Sequence, residues 1–255
     1  MSEPPTAWRR LVTFFRLLPE VCANCIRFHV FFVLPRWFHA PSRIQTGTRR
    51  ISLRFPDEAG IHSDFITCLL RNDYGLRRRL GDVRTILDVG ANVGFFALAA
   101  RARYPHTLIH VYEPNPRVLP YLHANLADTN ISIYPEAVGG VPGFVAMVDE
   151  GASNEARTLA CTHADSGIRQ VNLATAMERL GRRVDLLKLD CEGAEWEILK
   201  QEMRWETVRN IRMEYHTWHG GTLEDVVALL AARGFRIQYT GGFNDAGGMV
   251  WAVRE

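Results

Sequence analysis

The chain has 255 residues, of which 47% are hydrophobic and 23% are charged, and this composition is typical of a globular protein with a substantial core. Its formal net charge of +2 argues for no particular partner. Outside the first 50 residues there is no basic stripe with interleaved aromatic residues, so we expect no nucleic acid partner. The five cysteines are scattered and do not match a disulfide framework, which favours a reducing, cytoplasmic compartment.

Residues 1–50 differ from the rest of the chain because they are basic and aromatic. They contain eight arginines against only two acids, Glu3 and Glu20. Polar residues interrupt every apolar run before it reaches the roughly 18 to 20 residues that a membrane-spanning helix needs. We interpret residues 1–50 as a helical N-terminal arm and residues 51–255 as the main domain.

Two uses of this arm remain open. Its mixture of basic and aromatic residues suits peripheral contact with a membrane interface through residues 1–40. The same residues also suit a helix that packs on the main domain or on a second copy of the chain in a homo-oligomer. The sequence favours neither use, so the expected location is cytoplasmic, with membrane-peripheral binding as the alternative.

A short strand at 51–55 and a helix over 63–71 with Ser63 as its N-cap are predicted to begin the main domain. The next stretch, residues 86–96, reads ILDVGANVGFF. Its apolar start predicts a strand that is buried on both faces. Gly90 and Gly94 lack the Cβ atoms that would keep a ligand away from the backbone, and Asp88 stands at the carboxyl end of the strand. Ligands of open α/β sheets bind at that end.

The spacing of this turn indicates which ligand it holds. A dinucleotide fingerprint needs three glycines, but Asn92 and Phe95 replace the second and the third. An acid with fewer glycines better suits a nucleoside with an amino-acid tail, whose carboxylate can bind at the helix N-terminus. Its ammonium group would donate to Asp88. That ligand is S-adenosylmethionine, with predicted contacts from Asp88, Gly90, Ala91, Asn92 and Gly94. The alternative is an ordinary strand and helix in which Asp88 only caps the helix.

A second acid follows the next predicted strand, residues 108–112, which comes after a helix over 95–104. Glu113 lies 19 residues beyond Gly94, where a carboxylate can accept hydrogen bonds from both ribose hydroxyls. Asn115 fits the N-cap of the following helix and is included in the predicted cofactor site. Glu113 favours a nucleoside ligand but does not distinguish S-adenosylmethionine from a nicotinamide cofactor, because nicotinamide enzymes use an acid at the same position. The alternative is an acid that only helps to begin a helix.

The third predicted strand covers residues 131–138. Glu136 and Ala137 near its end are expected to lie close to the adenine of the cofactor. Residues 139–170 are polar and glycine-rich without a clear period, so we predict an irregular segment with one short strand at 144–148. Long loops in compact domains often bind ligands, and this segment is therefore our candidate for the substrate wall.

The remaining elements complete an alternating α/β pattern. We predict a helix capped by Asn172, a strand at 184–189, a helix that includes Trp196, Leu199 and Met203, a strand at 211–213, a helix that begins at a Thr222–Asp225 capping arrangement, and a hairpin of 235–239 with 249–253. Asp190 and Glu192 follow the fourth strand, whereas Glu214 and His216 follow the fifth. All four side chains should therefore lie beside the cofactor crevice.

Four motifs in this order resemble those of the FkbM family of S-adenosylmethionine-dependent methyltransferases. They are DVGANVG at 88–94, EPNP at 113–116, LKLDCEG at 187–193 and EYH at 214–216. The resemblance implies a class I methyltransferase fold: a Rossmann-like, mostly parallel seven-stranded sheet with one antiparallel strand and helices on both faces. Members usually methylate a hydroxyl of a sugar or a polyketide-like metabolite. Members often carry Leu-Asp where this chain has Leu173-Ala174, and this departure leaves the identity of the acceptor open.

Methyl transfer to a hydroxyl needs a base or a metal, because an alcohol is a poor nucleophile until its proton is removed or acidified. The predicted catalytic residues are Asp190, Glu192, Glu214 and His216, with Asp190 or His216 as the base and Glu192 as an orienting group. The same four could instead hold Mg²⁺. In a structural interpretation, Glu192 caps its helix and Glu214 pairs with an arginine.

The function that we predict is O-methylation of a small-molecule or glycan acceptor, such as a sugar, glycolipid or secondary metabolite, with S-adenosylmethionine as the methyl donor. Two alternatives belong to other classes. One is a catalytically silent cofactor-binding protein that kept the fold. The other is an NAD-dependent oxidoreductase, which Asn92 and Phe95 disfavour.

Overall fold

The computed structural model describes residues 6–32, 34–78, 80–148, 157–161, 167–218, 220–244 and 247–254. The described helices are α1 Thr6–Phe28, α2 Ala59–Phe65, α3 Phe95–Arg103, α4 Leu119–Leu126, α5 Leu173–Leu180, α6 Glu195–Lys200 and α7 Leu223–Ala232, with 3₁₀ turns at Pro35–Trp37 and Trp205–Thr207. The strands are β1 Arg43–Thr46, β2 Arg49–Ser52, β3 Thr85–Val89, β4 Leu108–Tyr112, β5 Ser132–Tyr134, β6 Ala137–Gly139, β7 Gly143–Val148, β8 Arg157–Cys161, β9 Ile168–Asn172, β10 Leu186–Leu189, β11 Asn210–His216, β12 Arg236–Asn244 and β13 Gly247–Val253.

Seven of these strands form the central sheet, in the order β12-β13-β11-β10-β3-β4-β5. The pairs β10–β11, β10–β3, β3–β4 and β4–β5 are parallel, whereas β13 runs antiparallel to both of its neighbours. The predicted class I fold with one antiparallel strand is therefore confirmed. The chain leaves β3 toward one edge of the sheet and later returns at β10, so a crevice opens between the carboxyl ends of these two strands.

The core lies on both faces of this sheet. Ile86 belongs to one cluster of buried side chains and its neighbour Leu87 to the other, as strand alternation requires. The first cluster includes side chains of α3 and of the N-terminal arm, and the second includes side chains of α5, α6 and α7. Lys188 and Arg212 are buried on neighbouring strands of the same sheet.

Two predictions for residues 131–172 are wrong. The third strand divides into β5, which joins the central sheet, and β6, which joins a separate four-stranded sheet in the order β6-β9-β7-β8. The short strand predicted at 144–148 is confirmed as β7, but two further strands of this sheet, β8 and β9, lie in the segment that was predicted to be irregular. The sequence signal is weak there because pairing between distant strands, and not a local hydrophobic period, stabilises these short strands.

Helix boundaries differ at two places. The helix predicted to begin at Ser63 begins at Ala59 and continues as one π-helical segment, Ile66–Leu70, in which the backbone N–H of Arg71 donates to the carbonyl of Ile66. The helix expected to include Met203 ends at Lys200. The predicted caps are present: Asn172 accepts from the backbone N–H of Thr175, and Thr222 and Asp225 form a capping box.

The described part of the N-terminal arm packs on the main domain. Val21, Phe28, Val30 and Phe38 are buried in the first core cluster. Asn24 Nδ2 donates to the carbonyl of Leu70 over 2.8 Å. Packing on the domain, one of the two predicted uses of the arm, therefore occurs. Among the described residues, no helix is both long and apolar enough to cross a membrane.

Candidate active site

A cavity of about 450 Å³ opens where the strand order reverses, at the carboxyl ends of β3, β4, β10 and β11. This volume lies in the range of small-molecule and cofactor sites. Nine of the thirteen predicted site residues line it: Gly90, Ala91, Asn92, Glu113, Ala137, Asp190, Glu192, Glu214 and His216. The four others, Asp88, Gly94, Asn115 and Glu136, lie close behind its wall.

Gly90 lets two loops meet at the floor of the cavity. Its φ is +79°, and a Cβ atom added there would lie 1.7 Å from the carbonyl oxygen of Asp190. No side chain fits this space, so the turn after β3 can touch the turn after β10 only with glycine at this position. Gly94 does not contact the cavity. A Cβ atom on Gly94 would press on Leu122 and Leu126 of α4, so this glycine allows close packing around the start of α3.

Glu113 is a buried carboxylate that faces the cavity. It accepts hydrogen bonds from the backbone N–H groups of Asn92, over 2.7 Å, and of Asn115, over 2.8 Å. Burial raises the pKa of Glu113 to about 7, although these two donors partly oppose the shift. Asn115 accepts from the backbone N–H of Arg117 over 3.0 Å. Asn115 therefore supports Glu113 and the next turn, and its contact with the cofactor stays a prediction.

The structure also corrects the expected contact of Asp88 with the ammonium group of the cofactor. Asp88 is fully buried and its Oδ1 lies 3.3 Å from Nζ of Lys188. The same Nζ lies 3.3 Å from Oδ2 of Asp190 and donates to the carbonyl of Gly90. Lys188, which lines the cavity, thus ties the ends of β3 and β10 together, and Asp88 is its buried counter-charge.

Glu136 does not reach the cavity either. Its carboxylate pairs with Arg179, and Arg169 lies 3.3 Å away. The Arg179 guanidinium also lies 5.0 Å from the ring centre of Tyr134, which stacks on Tyr112 at 4.7 Å. The carboxylate that was expected near adenine therefore pairs with two arginines instead. Its neighbour Ala137 and the adjoining Val138 line the wall at that end.

The four predicted catalytic residues lie together. Nε2 of His216 is 3.5 Å from Glu192 and 3.8 Å from Glu214. Asp190 accepts from the hydroxyl of Tyr74 over 2.7 Å. Burial raises the pKa of Glu192 to about 8 and that of Glu214 well above its ordinary value, with a further contribution from the nearby charge of Asp190. Burial also opposes ionisation of Asp190, but Lys188 and His216 outweigh it and lower the pKa of that group.

Glu195 is a site residue that the sequence interpretation missed. It is 1% exposed, its Oε1 lies 2.5 Å from Nδ1 of His216, and its Oε2 accepts from the backbone N–H of Gly193 over 2.6 Å. Trp218 stacks on the imidazole with ring centres 4.3 Å apart. Burial alone would lower the pKa of His216, but Glu195 and the other nearby carboxylates raise it to about 9. The sequence did contain a signal for this role, because Glu195 begins α6 only three residues after the predicted site residue Glu192.

The helix before β3 supplies a further wall that was not predicted. Ser63, Asp64, Thr67, Cys68 and Arg71 line the cavity from α2 and the π-helical turn. Asp64 accepts from Nδ2 of Asn92 over 3.1 Å, and burial raises its pKa to about 7. The π-helical turn widens the helix at this wall, and such turns often occur at functional sites. Arg157 and Thr158 of β8 line the cavity from the second sheet.

Three of the four predicted metal ligands lie close enough together to bind one ion. Ligand atoms of Asp190, Glu192 and His216 all lie within 4.8 Å of one another. Two carboxylates and an imidazole suit a divalent cation, and Mg²⁺ completes such a set with water and substrate oxygens. The remaining predicted ligand, Glu214, lies 3.8 Å from His216 Nε2.

A family model described as the methyltransferase FkbM domain matches residues 88–237, which include all four sequence motifs. The chain belongs to the FkbM methyltransferase family. The predicted family resemblance is confirmed, and with it the class of activity: this FkbM protein is an S-adenosylmethionine-dependent methyltransferase.

The chain is similar to two proteins named as methyltransferases and to one solved structure. Methyltransferase sdnD of Sordaria araneosa is 31% identical over a match that covers 60% of this chain and 73% of that protein. The 31-O-demethyl-FK506 methyltransferase FkbM of Streptomyces tacrolimicus is 29% identical, with 67% and 78% covered. Fibrillarin of Aeropyrum pernix, solved with S-adenosylmethionine, is 15% identical, covers 72% of this chain and 74% of its own, and has a TM-score of 0.46.

Proposed function

We propose that this FkbM methyltransferase methylates a hydroxyl group of a sugar, glycolipid or secondary metabolite. The observation that carries the proposal is the buried Glu195–His216 pair, because its second imidazole nitrogen faces the cavity beside Asp190 and Glu192. An alcohol requires removal of its proton, and an oriented imidazole is the side chain that most often does this. The name of the Streptomyces tacrolimicus relative, a methyltransferase of an O-demethyl compound, agrees with an oxygen acceptor.

The cavity residues fit S-adenosylmethionine. When bound, this cofactor supplies a methyl group on a positively charged sulfonium. Gly90, Ala91 and Asn92 line the cavity, and the lone pairs of Glu113 that Asn92 and Asn115 do not use can accept from ribose hydroxyls. Ala137 and Val138 offer an apolar wall for a base.

Replacing Glu113 with glutamine tests this arrangement. The amide keeps the shape but replaces one acceptor oxygen with a donor, so it loses charge-assisted hydrogen bonds worth about 1.5–3 kcal/mol. We expect the affinity for S-adenosylhomocysteine, measured by titration calorimetry, to fall about ten- to hundredfold. Glu197→Gln, at an exposed acid of α6, is the matched control. Unchanged affinity in Glu113→Gln would remove Glu113 from the ribose site.

His216 is our proton acceptor. Proton transfer to its Nε2 produces an imidazolium that Glu195 stabilises from the opposite nitrogen. Its pKa of about 9 means that the imidazole is mostly protonated at neutral pH. The rate of methyl transfer should therefore increase about tenfold per pH unit and level off near pH 9. Asp190 is less suited to accept the proton, since Lys188 and Tyr74 already hold its carboxylate.

The experiment uses methyl-labelled S-adenosylmethionine and a fractionated metabolite and glycolipid extract of the source organism. We expect label in a product whose mass increases by one methylene group and whose new bond is an ether that resists alkaline hydrolysis. His216→Asn should reduce incorporation on the order of 10²–10⁴-fold while S-adenosylhomocysteine still binds. A methyl ester or methylamine product would contradict the proposal, and no transfer to any fraction would favour a silent cofactor-binding protein.

Activation of the acceptor by Mg²⁺ is the competing proposal for the same cluster. It rests on the 4.8 Å grouping of Asp190, Glu192 and His216. Repeating the labelling after treatment with EDTA, with and without added Mg²⁺, separates the two proposals. Loss of incorporation that Mg²⁺ restores would favour the metal, whereas activity that survives EDTA favours His216 as the base.

A further inference from the structure

Only some side chains of residues 26–50, the end of the N-terminal arm, pack on the main domain. Phe28, Val30, Phe38 and Ile44 are buried in the core of the domain. Between them lie three large apolar side chains that are turned outward: Ile26 is 77% exposed, Phe31 87% and Trp37 61%. Ile26 and Phe31 have larger exposed fractions than any other large apolar side chain that the structure describes. Single exposed apolar residues are ordinary, but three within twelve residues mark a candidate contact surface.

The charge of residues 26–50 indicates what kind of partner they bind. Residues 26–50 contain five arginines and neither aspartate nor glutamate, although the whole chain carries a net charge of only +2. Arg36 is exposed and its guanidinium lies 4.8 Å from the ring centre of Trp37. Arg43, Arg49 and Arg50 are exposed on the β1–β2 hairpin. Arginine beside exposed tryptophan and aliphatic side chains is the composition of a membrane-interface contact, where apolar side chains enter the acyl boundary and cations meet lipid phosphates.

The exposed residues are held in place by the fold. Arg27 donates to the carbonyl of Ala102, and the 3₁₀ turn that carries Trp37 leads into Phe38, which packs on Phe65 with ring centres 5.5 Å apart. The backbone N–H of Ala40 donates to Nδ1 of His62 in α2 over 3.1 Å. The next residue of α2, Ser63, lines the active-site cavity. The segment that carries the outward residues thus contacts α2, the helix that also lines the cavity.

We propose that residues 26–50 bind the surface of an anionic phospholipid membrane, with Ile26, Phe31 and Trp37 inserted at the interface and the arginines on the lipid phosphates. The buried half of the same segment attaches it to the methyltransferase domain, so the segment binds peripherally and does not span the bilayer. This proposal concerns the surface of the chain and does not depend on which acceptor is methylated.

Cosedimentation of the full-length protein with vesicles tests it. We expect binding to vesicles of phosphatidylglycerol and phosphatidylcholine, and at least tenfold weaker binding to phosphatidylcholine alone or in high salt, because screening weakens the arginine–phosphate attraction. The triple variant Ile26→Ser, Phe31→Ser, Trp37→Ser should weaken binding at least tenfold. The control replaces Val141, Phe144 and Leu159, three exposed apolar residues elsewhere, with serine and should bind as the unmodified chain does.

Two results would overturn the proposal. One is equal vesicle binding by the triple variant and the unmodified chain, or no binding by either. The other is a change from dimer to monomer in the triple variant, measured by size-exclusion chromatography with light scattering, which would make the segment a contact between copies of the chain. Because all three residues are exposed, circular dichroism should show the same thermal unfolding for the variant, and this verifies that the comparison concerns folded protein.

Discussion

Replacing Lys188 with methionine is expected to lower the free energy of unfolding by about 3–5 kcal/mol, measured by urea titration at pH 7. Lys188 is almost fully buried and is the nearest cation to two carboxylates, with Nζ 3.3 Å from Asp88 and 3.3 Å from Asp190. Methionine keeps the length of the side chain but leaves the fully buried Asp88 without its ion pair. Removing one partner of a buried pair costs much more than the pair contributes, because the other charge remains desolvated.

The pH dependence of this variant has a definite sign. Burial raises the pKa of Asp88 in the folded protein to about 6 even with Lys188 present. Ionisation of Asp88 therefore lowers the free energy of unfolding as the pH rises from the ordinary pKa of an aspartate to about 6. Without Lys188 the pKa of Asp88 should be higher still. The stability of Lys188→Met should therefore fall more steeply between pH 5 and 8 than that of the unmodified chain.

A double variant provides the control. Lys188→Met with Asp88→Asn removes both charges in side chains of similar shape, and it should recover most of the lost stability. A loss of less than about 1 kcal/mol in Lys188→Met, or no recovery in the double variant, would show that this pair is not what holds the ends of β3 and β10 together.

Lys188 shows which features of the site can be predicted from the local sequence and which cannot. A lysine inside the apolar run of β10 was a visible anomaly, since a buried lysine needs a carboxylate. Its partner could not be read from the sequence, because the register that places Lys188 opposite Asp88 exists only after β10 pairs with β3. By contrast, Glu113, Asp190, Glu214 and His216 lie at or just after the carboxyl ends of parallel strands, and these ends must meet at the same edge of the sheet. Strand prediction alone was enough to bring those four together.

The same distinction explains the errors. Asp88 and Glu136 were assigned to the cofactor from their position at the end of a predicted strand, but the buried Lys188 and the half-buried Arg179 pair with their carboxylates. The second sheet was missed because β6 to β9 have no long amphipathic period and depend on pairing across distant residues. Side-chain partners and sheet register are tertiary properties, and at this site they decide which acids face the cavity.

Replacing Glu195 with glutamine is expected to lower the pKa of His216 from about 9 toward its ordinary value of 6.5. Glutamine can still accept from the backbone N–H of Gly193, so the helix start should persist, but the negative charge 2.5 Å from Nδ1 is lost. Glu192, Glu214 and Asp190 also face the ring and will keep part of the shift. NMR titration of the imidazole, assigned by the loss of its signal in His216→Asn, measures this pKa without any acceptor.

Folding stability provides an independent measurement of the same pair. Since the folded pKa of His216 is raised, its ion pair with Glu195 stabilises the protein fully below pH 6.5, and this contribution is lost as pH rises through 9. Glu195→Gln should therefore be less stable than the unmodified chain by on the order of 3 kcal/mol at pH 6, and this difference should largely disappear by pH 10. Glu197→Gln, at an exposed position on the same helix, should change neither quantity. A His216 pKa that stays near 9 in Glu195→Gln would mean that Glu192 and Glu214 hold the proton in place, and Glu195 would then have no positioning role in proton transfer.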